Sequence, residues 1–206
     1  METLDSFMER LASPSPAPGG GAASAAVSVV AASLVSMVAG LTIGKKGYEG
    51  AQETMKQVLE KSRKLTADLR SLMEEDEAAF NRLFAAWKMP KSTEEEKKRR
   101  REAMDIATRG AIQVPWKIAG AAGQVLRLAA AIAAQGNSSA ITDAGSALEF
   151  SLASIRAALQ NVEINLKSLS DHEYAESEMM KVKVFTEDAL EIYKNAMKDV
   201  RRRMQA

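Results

Sequence analysis

The sequence predicts an all-α fold, a single domain over residues 1–206 built as a bundle of long helices. Three observations predict it. Alanine, the best helix former, fills 36 of the 206 positions. Apolar residues recur at helical spacing in long runs, and the period-2 alternation of a half-buried strand is absent. The 12 glycines and 5 prolines fall mostly between the periodic segments, where they act as breakers. No repeat or linker divides the chain.

Each helix follows from its own signals. A short first helix is expected near Thr3–Leu11, followed by the loop Ser13–Gly21 with its prolines and glycines. A second helix runs from about Gly21 to Ile43, and Gly44–Gly47 breaks it with a lysine-bearing turn. A third spans roughly Glu49–Trp87 and stops before Pro90. Ser92 or Thr93 with Glu95 or Glu96 forms a capping box that opens a fourth helix. That helix carries a kink at Pro115 and ends near Gly136–Asn137. A fifth covers about Thr142–Leu169 and a sixth about Asp171–Arg203.

Composition removes several function classes. Lys plus Arg number 28 against 27 acids, a net charge of +1. A duplex-binding domain needs a basic excess, so no nucleic-acid partner is expected. There is no cysteine and a single histidine, His172. Disulfides, thiolate chemistry, a His-rich metal site and a Ser-His-Asp triad are therefore not expected, and no metal is assigned. The acidic N-terminus lacks the basic region of a secretory leader. Ala22–Ala39 is long enough to suggest a membrane span but is rich in Ala and Ser, which favours a buried helix. The expectation is a cytoplasmic protein with no membrane partner.

The second helix carries small residues every four positions: Gly20, Ser24, Ser28, Ala32, Ser36 and Gly40. Such a row lets another backbone approach closely, in the core or across a subunit contact. On the fifth helix, Leu148, Leu152, Ile155, Leu159, Val162, Leu166 and Leu169 share a broad face and the charges crowd a narrow seam. That helix should be surrounded by others. Asn161 and Asn165, four apart, share a face. They either tie neighbouring backbones together or present donors and acceptors to a polar ring in a cleft.

Among the acids of Glu74–Glu77, one position differs. Leu65, Leu69, Leu72, Met73, Phe80, Leu83, Phe84 and Trp87 form an apolar stripe on the third helix, and Asp76 falls near its middle. A carboxylate there either caps or pairs with a neighbour, or it is desolvated and works as a proton donor or acceptor near neutral pH. Asp143, in Ile141-Thr142-Asp143-Ala144-Gly145, reads first as an N-cap with a possible second role toward a ligand. Gly19, Gly20 and Gly21 lead into the second helix, where backbone amides and the dipole favour an anion. Lys45 and Lys46 close the same helix about 35 Å away at 1.5 Å per residue. The two ends would serve different parts of a ligand, or sites brought together by another subunit. The Lys97–Arg101 and Arg201–Arg203 runs read as solvated helix faces and ends.

Together these motifs resemble the cyclodeaminase/cyclohydrolase family of folate enzymes. The resemblance rests on Pro18-Gly19-Gly20-Gly21, Gly44-Lys45-Lys46-Gly47-Tyr48, Asp76-Glu77-Ala78-Ala79-Phe80, Met89-Pro90-Lys91 and Val114-Pro115. Asn137, Ile141–Gly145 and Asn161-Val162-Glu163-Ile164-Asn165-Leu166 continue it, in order, across about Pro14 to Asp171. Ala157 and Thr142 depart from the family pattern, which expects Gly and often Ser there. The resemblance implies a homodimeric helical domain with a tetrahydrofolate derivative bound as substrate near the dimer interface, and no further cofactor. It implies conversion of 5-formiminotetrahydrofolate to 5,10-methenyltetrahydrofolate with release of ammonia, or alternatively hydrolysis of the methenyl compound. A non-catalytic dimerisation module is the contrasting reading. In the enzyme reading Asp76 moves the proton and Asp143 stabilises the cation or orients the pterin. Asn161 and Asn165 read the pterin edge, while Gly19–Gly21 amides or Lys45 and Lys46 take the glutamate carboxylates.

Overall fold

The computed structural model describes residues 2–205. Six α-helices make up the described chain: α1 (Leu4–Ala12), α2 (Gly20–Thr42), α3 (Gln52–Trp87), α4 (Glu94–Gln135), α5 (Ile141–Leu166) and α6 (His172–Met204). Two 3-10 turns, Glu49–Ala51 and Ser138–Ala140, lead into α3 and α5. Among the described residues there is no strand.

Local chemistry accounts for the boundaries. Thr3 caps α1 by accepting the Ser6 N–H. Gly44 and Gly47 take φ of +75° and +87°, the left-handed turn that ends α2 and reverses the chain. At the start of α4 the Thr93 hydroxyl accepts from Glu96 N–H while the Glu96 carboxylate accepts the Thr93 N–H, a complete capping box. α4 then continues through the buried Pro115 to Gln135. α5 stops at Leu166 rather than Leu169, with Lys167 at its C-cap, and Asp171 caps α6 by accepting the Tyr174 N–H.

α5 lies at the centre, packed on α2, α4 and α6, and α2 and α4 each also pack on α3. The middle of the small row of α2 faces inward: Ser24, Ser28 and Ala32 are buried, while Gly20 and Gly40 at its ends are exposed. Close approach follows, with the Ser154 hydroxyl of α5 donating to the Ser24 carbonyl at 2.7 Å and the Ser36 and Ser62 hydroxyls 2.7 Å apart. The small row is therefore used within the chain. α2 and α4 are both long and apolar enough to cross a membrane, and half or more of each apolar window is packed inside the bundle.

The opposite side of α2 is not covered. Val27, Val30, Met37 and Leu41 are 38–50% exposed, and no charged residue interrupts this helix. The α3–α4 hairpin is likewise thinly packed at its tip, because no residue between Ala86 and Thr108 is buried.

Candidate active site

α2 starts without a side-chain cap of its own, since Gly19 holds the cap position. The amides of a helix start need an acceptor. Asp76 of α3 supplies one, its Oδ2 accepting the Ala22 N–H at 2.9 Å. A Cβ added to Gly21 would lie 2.3–2.5 Å from the atoms of that carboxyl group, so glycine is what lets the two elements meet.

Asp76 is half-buried. Burial pushes its pKa above the usual aspartate value; the Ala22 amide opposes the rise and the neighbouring Glu77 adds to it. Glu77 is itself ion-paired to Arg10, which fastens α1 beside the site. In one geometry Asp76 caps a neighbouring helix and is a partly desolvated acid. The Ala22 amide is consequently engaged by a protein carboxylate.

Asn161 of α5 stands next to Gly20, with Nδ2 3.4 Å and Oδ1 3.8 Å from where a Gly20 Cβ would sit. Its Nδ2 donates to the Ala157 carbonyl at 2.8 Å. Asn165, one turn on, donates to the Ala111 carbonyl at 2.8 Å and ties α5 to α4. Gly19, Gly20, Gly21, Asp76 and Asn161 thus converge at one end of α2.

Lys45, Lys46 and Asp143 belong to the other end. The expectation that Asp143 caps α5 is corrected. The helix begins at Ile141 with Ala140 at the cap position, and Asp143 is its third residue. The cause is the preceding 3-10 turn, which Asn137 caps by accepting the Ser139 N–H at 3.1 Å. A carboxylate in the first turn still interacts favourably with the helix dipole. Because α2 and α5 run antiparallel, Asp143 lies about 27 Å from Asn161 along α5 at 1.5 Å per residue. Asp76 and Asp143 of one chain therefore lie at opposite ends of the bundle.

Around Asp143's end of the bundle, contacts distant in sequence build a second cluster. The Lys45 ammonium donates to Asn137 Oδ1 at 2.6 Å and sits 5.6 Å from the centre of the Tyr48 ring. The Tyr48 hydroxyl donates to Ser138 Oγ at 3.1 Å and accepts the Ser138 N–H at 2.9 Å. Those contacts, with Lys45 contributing further, hold the Tyr48 phenol below its usual range. Lys46 is exposed beside them. Sequence reasoning did not single out Tyr48, Asn137 or Ser138 as site residues, although Tyr48 closes the Gly44–Tyr48 motif. Among the described residues no group of three His, Asp or Glu side chains is placed to hold a metal ion.

An all-helical bundle with an acid seated on a glycine-rich helix start defines the class. The chain belongs to the formiminotransferase-cyclodeaminase family, which residues 3–184 match. It is 40% identical over 178 residues to methenyltetrahydrofolate cyclohydrolase of Methylorubrum extorquens, covering 86% of each chain. It is 32% identical over 187 residues to formimidoyltransferase-cyclodeaminase of Rattus norvegicus, covering 91% of this chain but 35% of the rat protein. The crystal structure of formiminotetrahydrofolate cyclodeaminase from Thermotoga maritima superposes with a TM-score of 0.83 at 27% identity, covering 99% of this chain and 96% of that one.

Proposed function

We propose that this chain is a folate one-carbon enzyme that closes 5-formiminotetrahydrofolate to 5,10-methenyltetrahydrofolate and releases ammonia. The observation that carries the reading is Asp76, a half-buried acid with a raised pKa at the start of α2. In this reaction N10 attacks the amidine carbon on N5, forming the N10–carbon bond and losing its proton. The carbon–nitrogen bond to the amino group then breaks, and that nitrogen leaves with a proton as ammonia. A carboxyl group whose burial makes it hold its proton to higher pH than a free aspartate serves as the donor. Asn161 and the Gly20 backbone hold the reacting atoms near one another, which is positioning catalysis. The scheme uses no metal and no organic cofactor beyond the folate itself.

A homodimer is part of this proposal. The uncovered Val27, Val30, Met37 and Leu41 stripe of α2 supports it, because a charge-free apolar helix face in water favours a partner. A two-fold contact between antiparallel α2 helices sets the Asp76 end of one chain against the Lys45 end of the other. Lys45, Tyr48 and Asp143 would then complete the site, with the lysine taking a carboxylate of the substrate.

A second reading has a specific observation in its favour: the Methylorubrum relative, matched over 86% of its length, is a cyclohydrolase. In that case water attacks the methenyl carbon in the same cleft. Assaying purified protein with the formimino and methenyl compounds separates the two. Ammonia release with rising methenyl absorbance supports the cyclodeaminase, whereas only loss of methenyl absorbance supports the cyclohydrolase. Inertness toward both, without folate binding, returns the chain to a helical dimerisation module.

A further inference from the structure

Two adjacent acids of α3 are held by the two elements that precede it. Asp76 accepts the Ala22 N–H at the start of α2, and Glu77 is ion-paired to Arg10 of α1. The Glu77 side chain is only 20% exposed, so solvent screens its charge poorly and Arg10 supplies the counter-charge. The guanidinium is itself oriented. Its Nη1 donates to both Glu2 carboxylate oxygens at 3.1 and 2.9 Å, which leaves Nη2 for Glu77. The Ser6 hydroxyl in turn donates to Glu2 at 3.0 Å. α1 buries a single side chain, Phe7, and reaches α3 through the Arg10–Glu77 pair.

We propose that Arg10 is a positioning residue for the reaction: by holding the Glu77 carboxylate in an ion pair, it keeps Asp76 and Glu77 from sharing one proton, so that Asp76 alone carries the proton that is transferred. The inference rests on the reading of Asp76 as the donor and adds a residue that acts on it through Glu77. Neighbouring carboxylates without a counter-charge raise one another's proton affinity, and the proton then belongs to the pair. The other groups around Asp76 do not replace Arg10. On α3, Glu74 is exposed and Glu75 is paired with Lys117 of α4 at 2.9 Å. α2 contributes the Ala22 amide, and α5 the neutral Asn161 beside Gly20. Glu77 already adds to the rise at Asp76 with Arg10 in place. Without the guanidinium, Glu77 is a bare anion next to Asp76, which then holds its proton to still higher pH.

NMR titration of labelled aspartate carboxyl carbons follows this directly, with the Asp76 signal assigned by its absence in Asp76→Asn. In Arg10→Gln the Asp76 midpoint should rise by about half a pH unit, the scale of one neighbouring charge partly screened by solvent. The declining limb of the ammonia-release rate should move up with it. Glu77→Gln, which removes the neighbouring charge and keeps Arg10 tied to Glu2, should move both down. Arg10→Gln added to Glu77→Gln should shift the midpoint less than half as far as it does alone, and Arg10→Lys should restore the wild-type midpoint. A midpoint that stays or falls in Arg10→Gln overturns the proposal and marks the ion pair as a structural tie of α1. A shift of equal size with and without Glu77 also overturns it, because Arg10 then acts by another route. Midpoints that move while the rate limb stays fixed take Arg10 and Asp76 out of the proton transfer together. The titration needs no turnover, so a chain inert toward both folates overturns the functional reading while the midpoints still decide whether Arg10 acts on Asp76.

Discussion

The two ends of α2 are built from different chemistry. At Gly20 the helix start is glycine-rich and uncapped by its own residues, and one carboxylate from α3 closes it at the cost of partial desolvation. At Thr42 the helix end is met by hydroxyls, an amide and a cation: Thr42, Asn137, Ser138, Tyr48 and Lys45. The first end is suited to moving a proton, and the second to holding an anion. The two ends are separated by a whole helix, and in the dimer proposed above each chain contributes one end to each site.

Replacing the acid tests that division most severely. Asp76→Asn should lower kcat about 100-fold or more, the scale of general acid catalysis, while its amide oxygen still accepts the Ala22 N–H. Stability should move the other way. Because burial raises the Asp76 pKa, the folded chain keeps the proton to higher pH than the unfolded chain. Wild-type stability therefore drops as pH rises through the raised value, and Asp76→Asn, which does not ionise, should melt higher at pH 7. Thermal melts across pH should show the gap closing as pH falls through 3.8, the ordinary value.

Separating the half-sites is the next largest effect. Val30→Asp puts a charge into the uncovered stripe and should yield a monomer by light scattering. Helical content should be retained and the rate should fall about tenfold or more, since a buried unpaired charge opposes association. An active monomer would show that the Asp76 end works alone. Crowding the first end follows: Gly21→Ala drives a methyl group into the Asp76 carboxyl. Denaturant titration should find a loss of about 1–3 kcal/mol, typical of overpacking, together with reduced turnover. Smallest is Asn165→Ala, which removes one tie to the Ala111 carbonyl. It should cost about 1 kcal/mol and leave KM within about twofold.

Much of this was legible in the sequence because helical periodicity is a local signal. The Asp76 position on the apolar stripe, the Thr93–Glu96 capping box and the Gly44–Gly47 turn all follow from spacing within a few residues. The start of α5 was not legible, because the Asn137–Ala140 turn supplies a cap that no helical pattern marks, and this displaced Asp143 from the cap position. The Tyr48–Ser138 and Lys45–Asn137 contacts join residues about 90 positions apart. Periodicity carries no information at that range. Asn161 and Asn165 are equivalent on the wheel, yet Asn165 donates across to the Ala111 carbonyl of α4, whereas Asn161 donates within α5 to Ala157 and stands beside Gly20.

The most direct test is the rate of ammonia release from 5-formiminotetrahydrofolate against pH, for wild type and Asp76→Asn in parallel. A proton donated by Asp76 predicts a wild-type rate that declines as pH rises through the elevated pKa, and a much slower variant without that decline. A variant that keeps the wild-type rate, or the same pH limb, would contradict the assignment of the proton to Asp76.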